Sequence, residues 1–196
     1  MRELILKMSM TIDGFVASAD GGRKWFMDTR DEKGMEWTFG VISDASLHIM
    51  GSGSFKEMAA YWPTASGPFA ATMNHVPKAV FSKQGAAILP RADSLAGLQP
   101  EAQSWAEAYV ATGELKEEIQ KLKAQDGRPI IAHGGARFGR SLVASGLVDR
   151  YAIAIHAVAI GQGQPLFAGL TEPRYLKLLS SASFPRGTVA NIYSPA

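Results

Sequence analysis

A short apolar strand that ends at two glycines and leads straight into a helix constrains the fold of this chain most. Residues 129–132 read Pro-Ile-Ile-Ala, and His133, Gly134 and Gly135 follow before a helix begins at Ala136. Glycines remove the Cβ atoms that would block a ligand, and the first N–H groups of a helix carry a partial positive charge. The junction therefore predicts an anion site, most readily for a nucleotide pyrophosphate, or only a tight turn between strand and helix.

Apolar runs alternate with segments of helical periodicity along the whole chain, which predicts an α/β layer fold. The expected strands are 4–8, 46–50, 78–82, 106–111 and 151–160, and the expected helices are 31–42, 55–60, 114–123 and 138–145. The run 151–160 is typical of a central strand, and residues 175–180 with 189–193 predict an antiparallel hairpin at the sheet edge. The Pro- and Gly-rich connection 85–103 predicts a surface loop or an insertion.

Composition limits the classes of protein to which the chain can belong. With 196 residues, 46% of them hydrophobic, it can bury a full-sized core, so we expect a single domain over 1–196. The net charge of +2 argues against nucleic acid as a partner. No segment is apolar enough for a membrane span and no signal peptide is recognisable, so a cytoplasmic protein is expected. Without cysteines or paired histidines, we expect no metal.

Six short motifs occur in a recognisable order. They are SMTIDG (9–14), IMGSGSF (49–55), KAVFSK (78–83), HGG (133–135), GLVD (146–149) and GQGQPLF (161–167). In this order they resemble the dihydrofolate-reductase-like superfamily, and more narrowly the branch of the reductase domain of bacterial riboflavin biosynthesis. The resemblance implies an α/β fold with a mostly parallel central sheet flanked by helices. It also implies NADPH bound along the carboxyl ends of the strands and hydride transfer to a small molecule.

The same resemblance implies a set of cofactor-binding residues. They are Ser9, Gly51, Ser54, Ser82, Lys83, Gly134, Gly135, Arg137 and Phe138. Ser52 stands where members of the family usually carry an arginine, which leaves the choice between NADPH and NADH open. Lys83 is placed to contact a ribose 2′-phosphate as a point charge, which favours NADPH.

Two carboxylates are the candidate catalytic residues. Asp13, at the exit of the first strand, is the leading candidate to anchor the substrate and assist its protonation. Asp-Gly is also a common turn dipeptide, so Asp13 alternatively shapes a loop. Asp31 follows Trp25 at a distance that resembles the Trp-to-carboxylate arrangement of the superfamily, but a carboxylate there alternatively caps a helix. Trp25, Trp37 and Trp62 either wall a pocket for a planar substrate or pack in the core.

These features together predict an NADPH-dependent reductase of a small heterocyclic substrate such as a pterin, a pyrimidine or a related compound. The alternative is a nucleotide-binding protein of the same fold without efficient turnover. The exposed edge that the C-terminal hairpin would leave, and the resemblance, predict a homodimer.

Overall fold

A computed structural model describes all 196 residues of the chain, and its framework is one eight-stranded sheet in the order β5-β4-β3-β6-β1-β7-β10-β9. The first six strands of that order are mutually parallel, whereas β10 and β9 are antiparallel to their neighbours. The strands are β1 Leu4–Thr11, β3 Leu47–Gly51, β4 Lys78–Phe81, β5 Tyr109–Ala111, β6 Ile130–His133, β7 Arg150–His156, β9 Leu176–Ser183 and β10 Val189–Pro195. A separate two-stranded sheet pairs β2 Phe15–Ala17 with β8 Gln164–Pro165.

Six helices cover the two faces of the large sheet. They are α1 Lys24–Thr29, α2 Glu32–Ser43, α3 Ser52–Tyr61, α4 Pro68–His75, α5 Leu115–Ala124 and α6 Ala136–Ser145. Because side chains alternate between the faces of a strand, two apolar layers form. One joins Leu4 and Leu6 to α5 and α6, and the other joins Met50 and Ile131 to α2, α3 and α4. None of the helices combines the length and the apolar character needed to cross a bilayer.

The expected fold class is confirmed, including the antiparallel hairpin β9–β10 at the edge of the sheet. Gly146 ends α6 with a φ of 72°, the left-handed conformation that favours glycine at a helix end. The connection 85–103 carries only short 3-10 turns, as expected for a surface segment.

Two expected strands are shorter in the structure, and several short elements were not anticipated. The strand expected over 106–111 begins only at Tyr109, because a 3-10 turn at Ala102–Trp105 precedes it. The strand expected over 151–160 ends at His156, because the chain turns there and the Val158 N–H donates to the His156 carbonyl oxygen over 2.7 Å. The short helices α1 and α4 were not anticipated, although Pro68 at the first position of α4 is a recognised start signal. The sheet formed by β2 and β8 was not expected either, since two- and three-residue strands have no detectable period.

Candidate active site

Two connected cavities lie at the carboxyl ends of the parallel strands, where ligands bind in open α/β sheets. The larger, about 770 Å³, is called here the outer groove, and it is lined by residues that follow β3, β4, β5 and β6. The smaller, about 290 Å³, is called the inner chamber, and its lining includes β1, β2 and the start of α1. The two cavities share Gly53, Ser54, Gly135, Ala136 and Gln164, so one elongated ligand can occupy both.

The outer groove presents helix N-termini whose N–H groups are free of side-chain caps. Helices α3 and α6 both begin here, after Gly51 and Gly135, and neither cap position supplies a side-chain hydrogen bond. The first N–H groups of such helices are available to an anion and carry the positive end of the helix dipole. Lys83, Arg137 and Arg140 also line the groove, and none of them is ion-paired with a carboxylate within the protein. The groove thus has the donors and the charge that a pyrophosphate requires.

The two glycines of the junction have different roles. A Cβ on Gly135 would meet only the Ser54 Oγ, at 3.1 Å, so the missing side chain leaves open space on the ligand side. A Cβ on Gly134 would collide with the Sδ and Cε of Met8. Met8 is buried, so a side chain at 134 would force the end of the Met8 side chain to move, and packing within the protein favours glycine there.

Phe138 contributes both to packing and to the wall of the outer groove. A Cβ on Gly51 would lie 3.0 Å from the Phe138 Cβ, so the absence of a side chain at 51 lets α6 approach β3. The Phe138 ring also lies 5.1 Å from that of Phe81 at the end of β4. This contact fixes the first turn of α6 against the ends of two strands.

Lys7 is one of the residues that line the inner chamber. Lys7 lies in the middle of β1, beside His133 of β6 and Ala152 of β7 in the register of the sheet. Burial, and secondarily the nearby positive charge of Arg23, lower the pKa of Lys7 to about 8. No carboxylate or hydrogen bond offsets that shift. A lysine in this state exchanges a proton readily near neutral pH.

Several buried polar groups of the chamber walls have no partner in the protein. They are the Ser9 Oγ, the Trp25 Nε1 and the His133 Nε2. Buried polar groups are nearly always hydrogen-bonded, and each one left unpaired costs about 1–3 kcal/mol. The three residues line the chamber, although the unpaired atoms themselves have almost no accessible surface in this arrangement.

The histidines near the chamber are uncharged. The rings of His133 and His48 meet edge to face with centroids 4.6 Å apart, and burial lowers the pKa of His48 to about 4 and that of His133 well below its usual value. Burial likewise lowers the pKa of His156 to about 4, and its ring packs against Trp25 and Phe26. Lys7 and Arg23 are therefore the positive charges of the chamber at neutral pH.

Asp13 does not line either cavity and its oxygens are already occupied. One oxygen accepts a hydrogen bond from the Thr11 hydroxyl, and the other accepts from the N–H groups of Ile160 and Gly161 over 2.9 and 2.8 Å. The Thr11 hydrogen bond, followed by these backbone donors, holds the pKa of Asp13 below its usual value. The carboxylate thus ties the loop before β8 to the turn before β2, and it is ionised at neutral pH. This geometry favours the loop-shaping alternative, and a catalytic role for Asp13 stays a prediction.

Asp31 also lies outside both cavities, at the start of α2. Its side chain accepts from the Gly34 N–H over 2.6 Å, which is an N-cap, and from the Arg186 N–H over 3.2 Å. It thereby joins α2 to the turn of the β9–β10 hairpin. The helix-capping alternative accounts for these contacts, and no contact with the chamber supports a catalytic role.

The residues implied by the resemblance for the cofactor all lie along the two cavities. Ser9, Gly134 and Gly135 line the inner chamber, and Gly51, Ser54, Ser82, Lys83, Arg137 and Phe138 line the outer groove. Sequence reasoning missed Lys7, Arg23 and Gln164. The sequence did offer one indication of Lys7. Leu4, Leu6 and Met8 form one apolar face of β1, and Lys7 is a charged residue on the opposite face.

Comparisons with known proteins bear on the family and the fold of the chain. A family model of the RibD C-terminal domain matches residues 2–190. The uncharacterized protein YyaP of Bacillus subtilis (strain 168) is 28% identical over 192 residues, which cover 98% of this chain and 94% of YyaP. The structure of a putative riboflavin biosynthesis protein from Shewanella sp. PV-4 aligns with a TM-score of 0.74 and 16% identity over 99% of each chain. Dihydrofolate reductase from Enterococcus faecalis, complexed with NADP(H), aligns with a TM-score of 0.60 and 10% identity over 98% of this chain and 96% of that enzyme.

Proposed function

Because the chain belongs to the RibD C-terminal domain family, we propose that residues 1–196 form one NADPH-dependent reductase domain that acts on a small heterocyclic substrate. The observation that carries the proposal is that the two cavities adjoin and share five lining residues. An outer groove with uncapped helix N-termini and free cations opens into an inner chamber with a lysine and unpaired polar groups. A dinucleotide in the groove would bring its reactive end to the chamber.

The residues of the outer groove fit NADPH. The uncapped first turns of α3 and α6 suit the pyrophosphate, and the space beside Gly135 allows the backbone to approach it. Lys83 and Arg140 are candidates for a charge-assisted contact with the 2′-phosphate that distinguishes NADPH from NADH. When bound, the cofactor supplies a hydride.

Lys7 is the residue best suited to supply the accompanying proton. It lines the inner chamber, and its pKa of about 8 keeps it mostly protonated at neutral pH while making it a stronger acid than an exposed lysine. Trp25 and Phe26 form an apolar wall against which a planar ring can pack. Asp13, proposed from the sequence for the same role, remains the alternative donor that experiment must compare with Lys7.

A nucleotide-binding protein without efficient turnover is the second candidate function. Two observations favour it: Ser52 stands where the family resemblance implies an arginine, and neither predicted catalytic aspartate lines the chamber. Such a protein would keep the groove and lack the chemistry.

Cofactor titration followed by turnover measurement separates the two candidates. Quenching of tryptophan fluorescence on addition of NADPH and NADH gives both affinities, and NADPH absorbance is then followed against pterins, pyrimidines, quinones and carbonyl compounds. The reductase proposal expects tighter binding of NADPH and oxidation with at least one class. Binding without oxidation across the panel supports the second candidate, and no binding of either dinucleotide contradicts both.

We also propose that the protein is a homodimer that pairs through the edge of the sheet. Strand β9 is exposed along most of its length: Leu178 and Leu179 within it are 52% and 46% exposed, and Tyr175 just before it is 76% exposed. An edge strand with apolar side chains in water invites pairing with a second copy. Sedimentation equilibrium should give twice 21.0 kDa, and Leu179→Glu should shift the equilibrium toward the monomer. A wild-type monomer at all concentrations contradicts the dimer.

A further inference from the structure

Lys7 and His133 are neighbours in the wall of the inner chamber. They are register partners in the parallel strands β1 and β6, and both line the cavity. Side chains paired in this way point to the same face of the sheet from strands about 5 Å apart. An ammonium only donates hydrogen bonds, whereas a neutral imidazole donates from one nitrogen and accepts at the other. The position of the proton on His133 therefore decides what this pair offers to a ligand.

The ring of His48, which contacts His133, has a defined tautomer. Its Nε2 lies 3.2 Å from the carbonyl oxygen of Ile42, and this nitrogen must carry the proton because a carbonyl oxygen only accepts. Burial lowers the pKa of His48 to about 4, so the ring is neutral and its Nδ1 holds a lone pair. That Nδ1 is fully buried and has no hydrogen-bond partner.

This lone pair favours one tautomer of His133. The two rings meet edge to face with centroids 4.6 Å apart, and the Nε2 of His133 is likewise fully buried without a partner. Burial lowers the pKa of His133 well below its usual value, so this ring is neutral and carries a single proton. A proton on Nε2 supplies one donor to this buried pair of nitrogens, whereas a proton on Nδ1 would leave two buried acceptors and no donor.

The second ring nitrogen of His133, Nδ1, remains available to the chamber. It makes no hydrogen bond within the protein and, unlike Nε2, it is not fully enclosed. The chamber has other acceptors, but Glu57 pairs with Arg23 and is 71% exposed, and Gln164 is shared with the outer groove. The serine hydroxyls of the lining donate as well as accept, so they do not discriminate. His133 is thus the acceptor that adjoins Lys7.

We propose that His133 is a specificity-determining residue of the chamber, an acceptor whose tautomer is fixed by His48. Together with Lys7 it binds the edge of a lactam ring, on which an N–H adjoins a carbonyl oxygen. The Nδ1 of His133 accepts from the ring N–H, and the ammonium of Lys7 donates to the oxygen. This inference rests on the proposed reductase function and assigns the residues that recognise its heterocyclic substrate.

The tautomers can be measured on the full chain without any ligand. Long-range proton–nitrogen correlation spectra of isotope-labelled protein at neutral pH distinguish a protonated ring nitrogen from one that holds a lone pair. His48 and His133 should both show the Nε2–H form. His48→Phe keeps a ring and removes the lone pair, so it should shift His133 toward the Nδ1–H form. A wild-type His133 that carries its proton on Nδ1, or a His133 tautomer that ignores His48→Phe, overturns the proposal.

Two planar probes test the recognition itself. Lumazine has ring N–H groups beside its carbonyl oxygens, and 1,3-dimethyllumazine is the same bicycle with those N–H groups methylated. Isothermal titration of the full chain, with and without saturating NADP⁺, should show that lumazine binds at least about tenfold more tightly. Equal affinities, a preference for the methylated compound, or binding of neither probe contradicts the proposal.

Variants of His133 separate recognition from exclusion of the methyl groups by shape. His133→Leu has nearly the same volume and no acceptor, so the two affinities should become about equal, whereas exclusion by shape would preserve the difference. His133→Asn is the matched control, because its amide oxygen can take the place of Nδ1 and should restore a preference of a few-fold. A preference that persists in folded His133→Leu, or is absent from folded His133→Asn, counts against the assignment. If circular dichroism shows that neither variant folds, the wild-type tautomer decides.

The same experiments separate this inference from the proposed function. If NADPH does not bind the wild-type protein, the reductase proposal fails, yet the tautomers and the ranking of the two probes still decide the role of His133. If NADPH binds but His133 carries its proton on Nδ1, the inference fails while the reductase proposal stands.

Discussion

The outer groove and the inner chamber differ in the way that the chain builds them. The groove consists of short local segments, each a strand followed by a glycine or a small polar residue and then a helix, as at 49–55 and 131–138. The chamber consists of side chains from distant segments, with Lys7 from β1, Trp25 from α1 and His133 from β6. Backbone donors therefore dominate the groove, and side-chain donors dominate the chamber.

This difference predicts that cofactor binding and catalysis can be altered by separate mutations. A groove that binds through backbone N–H groups tolerates changes of side chain as long as no Cβ intrudes, because the donors remain. A chamber that relies on the ammonium of one lysine, Lys7, is more sensitive to substitution, because the proton is lost with the side chain. Mutations in the groove should alter cofactor affinity, and mutations in the chamber should alter turnover.

The largest expected effect is that of Lys7→Met on turnover. Loss of a positioned proton donor typically lowers the rate by about two to four orders of magnitude, and we expect a decrease in that range with NADPH affinity nearly unchanged. Asp13→Asn is the matched variant, since it removes the carboxylate that the sequence suggested for the same role. If Asp13 shapes the loop, it should lower thermal stability and raise KM with a smaller effect on kcat. If steady-state kinetics show a larger loss of kcat in Asp13→Asn than in Lys7→Met, Asp13 is the proton donor.

The pH profile gives an independent check of the same assignment. The folded pKa of Lys7 is lowered to about 8, so the ammonium is present below that pH and is lost as the pH rises through it. The neighbouring imidazoles of His133 and His156 are already neutral in this range because burial lowers their pKa. Turnover should therefore fall above about pH 8 in the wild type. An alkaline limb that survives in Lys7→Met contradicts the role of Lys7.

The second largest effect should be that of Gly135→Val on cofactor binding. The added side chain would occupy the space beside Ser54 on the ligand side of the junction, and we expect NADPH affinity to fall by about a hundredfold. Gly40→Val is the control, because Gly40 lies in α2 with open space around it. Titration of tryptophan fluorescence measures both variants. If folded Gly135→Val binds NADPH with wild-type affinity, the cofactor does not bind at this junction.

The contrast between groove and chamber also explains how much the sequence revealed. The groove could be predicted from the sequence because each of its segments is a contiguous strand, glycine and helix. The stretches from Gly51 to Ser54 and from Gly134 to Phe138 are recognisable as such junctions. The chamber depends on register, which sets Lys7 beside His133 although 126 positions separate them, and periodicity does not specify that pairing. Asp13 was predicted to be catalytic because a motif shows only the residue type. It does not show that backbone N–H groups already donate to the carboxylate oxygens.

A smaller effect is expected at the adenosine end of the groove. Lys83→Ala removes one charge-assisted contact and should weaken NADPH binding about tenfold, with little change for NADH, if Lys83 contacts the 2′-phosphate. Lys33→Ala is the control, because Lys33 pairs with Glu36 on the exposed side of α2. If Lys83→Ala weakens the binding of NADPH and NADH equally, Lys83 contacts the pyrophosphate or attracts anions in general. Arg140 would then be the next candidate for the contact with the 2′-phosphate.

The smallest effect on the cofactor should come from Gly134→Ala, although this residue adjoins Gly135. The new Cβ would collide with the thioether of Met8, so the substitution should lower the free energy of unfolding. Overpacking of this kind costs about 1–3 kcal/mol. For a chain of this length that corresponds to a decrease in Tm of about 2–12 °C. We expect NADPH affinity of the folded variant to stay within about threefold of the wild type, and Met8→Ala in the same chain to relieve the collision. A large loss of affinity that Met8→Ala does not restore would show that the groove, and not the core, requires glycine at 134.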